Sequence, residues 1–132
     1  MKKKLMYYLV TSLTALLVFA GTAQAQSFDK IAGAMKNGDA ATVASFFESN
    51  VEITIKDNGN SYSKSQAEIL LKNFFAGNKP SSFTVAHEGT SPEGSKYFIA
   101  TFSASTGNFR TYVYAKPSGG SLTIQEIRIE QQ

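Results

Sequence analysis

The sequence predicts an α+β fold in which three helices pack on a strongly bent antiparallel sheet, in the order α-α-β-β-α-β-β-β-β. Three features carry that expectation. Four strand-like runs follow one another at Ser82–Glu88, Lys96–Ala104, Phe109–Lys116 and Leu122–Glu130. The turn sequences Gly89–Gly94, Thr106-Gly107 and Pro117–Gly120 separate them, and tight turns join only antiparallel neighbours. Upstream, apolar residues recur at helical spacing in three segments, and one clean apolar/polar alternation marks a further strand.

The chain opens on a targeting pattern. Lys2, Lys3 and Lys4 form a basic start, Leu5–Ala20 is largely apolar, and Ala23-Gln24-Ala25 offers small residues at the positions a signal peptidase reads. The expectation is a secretory signal peptide over residues 1–25, cleaved before Gln26, and a single domain over residues 26–132. The apolar stretch is shorter than the roughly 20 residues of a spanning helix, so no membrane attachment is expected after cleavage. Export places the domain in the periplasm or outside the cell. The formal charge of +3 comes from 13 basic and 10 acidic residues, and three of the basic ones lie in the targeting segment. The mature part is therefore balanced, which argues against a nucleic-acid partner. With no cysteine, no disulfide supports the fold. About 100 residues suffice for one core.

Ser27 is the expected N-cap of a first helix, with Phe28, Ile31, Ala32 and Met35 on one face. Asn37-Gly38-Asp39 ends it, and Asp39 caps a second helix bearing Val43, Phe46 and Phe47. In Val51–Asp57, Val51, Ile53 and Ile55 alternate with Glu52, Thr54 and Lys56, as in a strand with one wet face. Asn58-Gly59 signals a hairpin with a short return at Ser61-Tyr62. The third helix starts in a capping box, Ser63 with Gln66 or Ser65 with Glu68. It presents Ala67, Leu70, Leu71, Phe74 and Phe75, with Gly77 as its expected cap and Pro80 as its stop.

Pairing the last four strands across their turns gives Phe102 opposite Thr111, Val113 opposite Ile124, and Val85 opposite Phe98. These registers agree in placing Phe83, Val85, Phe98, Ala100, Phe102, Phe109, Val113, Leu122 and Ile124 on one inner face. In the last strand Ile127 and Ile129 fall out of phase with Leu122 and Ile124. One extra residue at Gln125-Glu126, a β-bulge, restores them and bends the sheet into a half-open cone.

This arrangement resembles the nuclear transport factor 2-like fold of the cystatin-like group, and within it a family of small secreted bacterial proteins of unknown function. The resemblance rests on Asn37-Gly38-Asp39 before Val43, Phe46 and Phe47, and on the strand Val51–Asp57. It rests also on the helix entry Tyr62-Ser63-Lys64-Ser65-Gln66-Ala67, on Phe74-Phe75, and on the terminal Ile127-Arg128-Ile129. It spans essentially the whole mature chain and implies a fold, not a reaction. Relatives similar to ketosteroid isomerases and dehydratases place acids, His or Tyr inside the cone.

Candidates for such a site are few. His87, the single histidine, is expected on the core side near a strand end, opposite Lys96. Tyr62 and Thr111 complete a candidate ligand-binding set at the pocket mouth. Two have a plainer reading, His87 as a rim histidine and Thr111 as a hydroxyl satisfying backbone. No acid pair, Ser/His/Asp set or metal-ligand cluster assembles, so no catalytic residue, metal or cofactor is assigned. The outer face of the meander carries Tyr97, Ile99, Thr101, Ser103, Arg110, Tyr112, Tyr114, Thr123 and Arg128, with Glu88 and Glu130 near its edges. Tyr97, Arg110, Tyr112, Tyr114 and Arg128 are the candidate interface, because Tyr and Arg combine contact area with polar handles. The expected function is an exported, non-catalytic binding or protein-interaction domain. Its partner is a protein, with a homodimer through the outer sheet face as one form, or a small apolar ligand. The alternative is a small pocket enzyme of the ketosteroid isomerase/dehydratase type acting on an apolar ligand. A protease-inhibitor role, suggested by the cystatin-like grouping, lacks a Gln-x-Val-x-Gly loop.

Overall fold

The computed structural model describes residues 25–132, so the expected targeting segment lies outside the described residues except for Ala25. Helix α1 covers residues 25–37 and helix α2 is Ala40–Ala44. Strands β1 (Phe47–Ile55) and β2 (Asn58–Ser63) follow, then helix α3 (Lys64–Gly77). Strands β3 (Ser82–Thr90), β4 (Lys96–Ala104), β5 (Gly107–Ser118) and β6 (Ser121–Gln131) complete one six-stranded sheet of order β2-β1-β6-β5-β4-β3. All neighbours are antiparallel except β1 and β6, which run parallel. That junction was not legible locally, because the rest of the domain lies between the two strands.

Local chemistry sets the helix ends. Gly38 adopts φ +65°, and the N–H groups of Gly38 and Asp39 donate to the carbonyls of Met35 and Ala34 at 3.1 and 2.9 Å. The carbonyls left open at the end of α1 are thereby satisfied. Asp39 then caps α2, its carboxylate accepting from the Thr42 N–H at 3.1 Å and the Thr42 hydroxyl at 2.6 Å. These two bonds hold the Asp39 pKa below its ordinary value. A carboxylate stabilised this way contributes stability above its unfolded-state pKa, and the contribution is lost as pH falls through the lower folded value. Asp39→Asn should therefore flatten the acid limb of the stability profile while leaving the neutral fold intact, as urea titrations from neutral to strongly acidic pH will show.

The capping box of α3 forms as expected between Ser63 and Gln66. Its C-terminus differs: Gly77 is still helical, and Asn78 closes the end by donating its amide to the Phe74 carbonyl at 2.9 Å. Ser27 is likewise not a cap. It lies buried inside α1, with its hydroxyl 2.9 Å from that of Ser121. Helix α2 is shorter than expected. Phe46 stands in the turn after it and Phe47 already opens β1, where the Phe46 carbonyl accepts from the Ile124 N–H. Pairing with β6 thus overrides helical spacing at this point.

The hairpin between β1 and β2 turns at Lys56-Asp57, both at positive φ (47° and 69°), and not at Asn58-Gly59. The Lys56 N–H donates to the Ile129 carbonyl at 2.9 Å, so the β6 ladder fixes where β1 ends. The other turns tighten in the same way. The β5–β6 turn is Gly119-Gly120 at φ 56° and 82°, the positive pair that a two-residue hairpin needs. The β4–β5 turn is Ser105-Thr106, with Gly107 at φ 139°. Both registers shift by two residues from expectation: Phe102 faces Phe109, Ala100 faces Thr111, and Ala115 faces Ile124. An even shift keeps every side chain on its expected face.

The expected bulge is present. Ala115 pairs Ile124 while Tyr114 pairs Glu126, leaving Gln125 as the extra residue. Leu122, Ile124, Ile127 and Ile129 are all buried as a result. They meet Ile31, Met35, Val43, Ala67, Leu71, Phe74 and Phe75 from the helices. Aromatic rings close the cone. Phe28 stands edge-on to Phe98, Phe74 edge-on to Phe109, and Phe102 stacks on Phe109 with centroids 5.0 Å apart.

Candidate functional site

The three residues expected at a pocket mouth do not meet. A second bulge, between Val85 and His87, puts Val85 opposite Ala100 but His87 opposite Ile99, not Lys96. The extra residue turns His87 to the outer face, against expectation, and turns Glu88, opposite Phe98, to the inner one. His87 is exposed, and its Nε2 lies 3.1 Å from the Tyr97 hydroxyl. Thr111 is fully buried in the middle of the sheet and not at a mouth; its hydroxyl donates to the Arg128 carbonyl at 3.1 Å. Tyr62 lies at the far side of the sheet on β2, opposite Val51 and packed against the core.

The five candidate interface residues do come together. Across the sheet, Tyr97 pairs Tyr114, which pairs Glu126; in the next row Ile99 pairs Tyr112, which pairs Arg128. Arg110 pairs Glu130 in the row beyond. Tyr112 is therefore opposite Arg128, and Tyr114, not Tyr112, stands beside the bulge. Alternation along β4, β5 and β6 delivers these side chains outward because their neighbours Phe98, Ala100, Val113, Ile127 and Ile129 are drawn inward. The rings of Tyr97 and Tyr112 lie 5.9 Å apart, centroid to centroid, so His87, Tyr97 and Tyr112 form one aromatic strip.

Charge organises the same face. Arg128 is paired with Glu126 at 2.8 Å, and Gln125 in the bulge donates to Glu48 at 3.0 Å. Arg110 makes no ion pair among the described residues. Ile99, Arg110, Tyr112, Arg128 and Glu130 line a shallow depression of about 220 Å³. Partial burial, and then the Glu126 carboxylate, push the Tyr112 phenol above its ordinary pKa, so it stays a neutral donor. The depression can accept carboxylates at Arg110, hydrogen-bond through Tyr112 and bury flat apolar surface over Ile99.

Two features escaped sequence reasoning. Glu88 lines the rim of the cone, and Gly89 belongs to β3, where a Cβ would lie 2.5 Å from the Tyr97 ring. A glycine inside a strand-like run is the signal for such a close approach. Reading Gly89 as part of a turn concealed the second, and the extra residue before His87 concealed the first.

A family model described as "Domain of unknown function (DUF4783)" matches residues 28–130. No match was found among curated proteins. A DUF4783 family protein from Bacteroides fragilis is 29% identical, with a TM-score of 0.74 over 78% of this chain and 96% of that one. One from Bacteroides ovatus is 27% identical, again at a TM-score of 0.74, over 78% and 93%. An NTF2-like protein of unknown function from Shewanella baltica shares the fold at 13% identity and a TM-score of 0.61, over 84% and 92%. The fold is thus nuclear transport factor 2-like.

Proposed function

The chain belongs to the DUF4783 family, and on that premise we propose that it is an exported, non-catalytic interaction domain working through the outer face of its sheet. The carrying observation is the distribution of aromatic residues between the two faces. Phenylalanines fill the inside of the cone, with Phe98 and Phe109 fully buried, whereas Tyr97, Tyr112 and Tyr114 sit side by side on the outside. The inner rings do the work of a core; the outer tyrosines, half-buried with their polar ends at the surface, have the character of an interface anchor.

The partner this face suits is a second copy of the chain. A two-fold contact brings one patch onto itself, so the patch must carry both signs of charge. Arg110 and Arg128 supply one sign, Glu52, Glu126 and Glu130 the other, around an aromatic centre. Export follows from the basic and apolar start of the sequence.

Sedimentation equilibrium over a concentration series tests the proposal. Wild type should dimerise, and Tyr112→Glu/Tyr114→Glu, which sets two carboxylates beside Glu126, should weaken association by about 100-fold or more with unchanged circular dichroism. A wild-type monomer at the highest concentration overturns the reading.

A further inference from the structure

The sheet ends at β3, and the two edges of the sheet are not alike. Edge strand β2 is short and polar, Asn-Gly-Asn-Ser-Tyr-Ser, and runs straight into α3. Strand β3 is nine residues long, contains neither Pro nor Lys, and is exposed along most of its length. Its outward backbone groups face no other strand among the described residues. Proteins usually blunt such an edge with charge, proline or a covering segment, because it is a template for another strand.

A trough accompanies this edge on the inner side. Between α1 and β3 lie two adjoining hollows of about 420 and 350 Å³ that share Phe28, Asp29 and Glu88. Val85, 37% exposed, and the partly exposed Phe28 give the trough an apolar floor at one end. Asp29 and Glu88, which line both hollows, give it two carboxylates, against the single ammonium of Lys96 in one of them. The bulge before His87 is what turns Glu88 into the trough and brings it to the same side as Val85.

We propose that β3 receives a short extended peptide as a seventh strand, with an apolar side chain over Phe28 and Val85 and a basic side chain against Asp29 and Glu88. Backbone hydrogen bonds supply affinity in such strand addition, and alternate side chains supply selectivity. The occupant is a peptide and not a second copy, because β3 itself carries neither Lys nor Arg to meet Asp29 and Glu88 when two β3 edges pair. The trough shares only His87 with the outer aromatic strip and none of its tyrosines, so it stands or falls independently of the dimer.

The test uses blocked synthetic peptides of alternating Val and Thr carrying one central Lys, their Glu-substituted counterparts, and N-methylated versions of the Lys peptides. Amide hydrogen exchange is read across the whole chain. At a peptide concentration ten times Kd, the Lys peptide should slow exchange of β3 amides about tenfold. The N-methylated version should not, and Glu88→Lys should transfer preference to the Glu peptide. Val85→Thr, at an exposed position, should fold normally and weaken binding. Three results overturn the proposal. They are no β3 protection at millimolar peptide, protection that survives N-methylation, and β3 amides that become protected with protein concentration alone.

Discussion

Deleting Gln125 should cost about 2–5 kcal/mol of stability by straightening β6, whereas replacing it by Ala should cost about 1 kcal/mol or less. Gln125 is the residue by which β6 outnumbers β5, with Ile124 opposite Ala115 on one side of it and Glu126 opposite Tyr114 on the other. Without it β6 alternates regularly and Leu122, Ile124, Ile127 and Ile129 all keep the inner face, so the deletion removes the local bend of the strand and not its apolar face. Each of these four is at most 2% exposed, and a straightened β6 that lifts one or two of them off the helices costs about 1.5–3 kcal/mol for each. That is a large share of the ~5–15 kcal/mol that holds a domain together. Gln125→Ala loses only an exposed bond to Glu48 and keeps the count of residues. Urea denaturation separates the two variants: a midpoint near wild type for the substitution, and a clearly lower one, with the transition still cooperative, for the deletion.

Phe98→Ala should destabilise by about 3–5 kcal/mol, the second large effect. Phe98 is fully buried where α1 crosses the cone, with Phe28 and Phe83 edge-on at centroid distances of 5.1 and 6.5 Å. Both neighbours are only partly buried and belong to peripheral elements, α1 and β3, so neither collapses readily into the vacated space. The result should be a lower urea midpoint at an unchanged slope. An apolar cavity of that kind stays dry and takes up benzene-sized molecules. Added benzene should therefore raise the stability of the variant and leave wild type unaltered.

Much of the fold was legible because burial on one face enforces alternation, and alternation is visible residue by residue. The β6 bulge could be read from Ile127 and Ile129, since apolar residues out of phase must be brought back into phase. The β3 bulge could not. The residues after Val85 there are Ala86, His87 and Glu88, which either face tolerates, so nothing in their polarity records the extra residue. That is why His87 was expected inside and lies outside. Turn positions were less legible than faces, because a hairpin can slide by two residues without turning any side chain over. Gly119-Gly120 and Lys56-Asp57 were settled by pairing across the sheet, to which Asn58-Gly59 contributes no turn at all. The candidate interface was legible for the same reason as the faces: Tyr97, Arg110, Tyr112, Tyr114 and Arg128 follow from alternation alone. The pocket set was not, since Tyr62, Thr111 and His87 lie on three separate parts of the sheet.

The central claim is that the chain self-associates through the outside of its sheet while the packed phenylalanines inside serve as core. A map of amide and side-chain NMR shifts against protein concentration tests it in one measurement. The account predicts progressive shifts at Tyr97, Ile99, Arg110, Tyr112, Tyr114 and Arg128, with Phe98, Ala100, Phe102 and Thr111 unmoved. Shifts confined to Phe98, Phe102 and Thr111, or a spectrum that does not change with concentration, would contradict it.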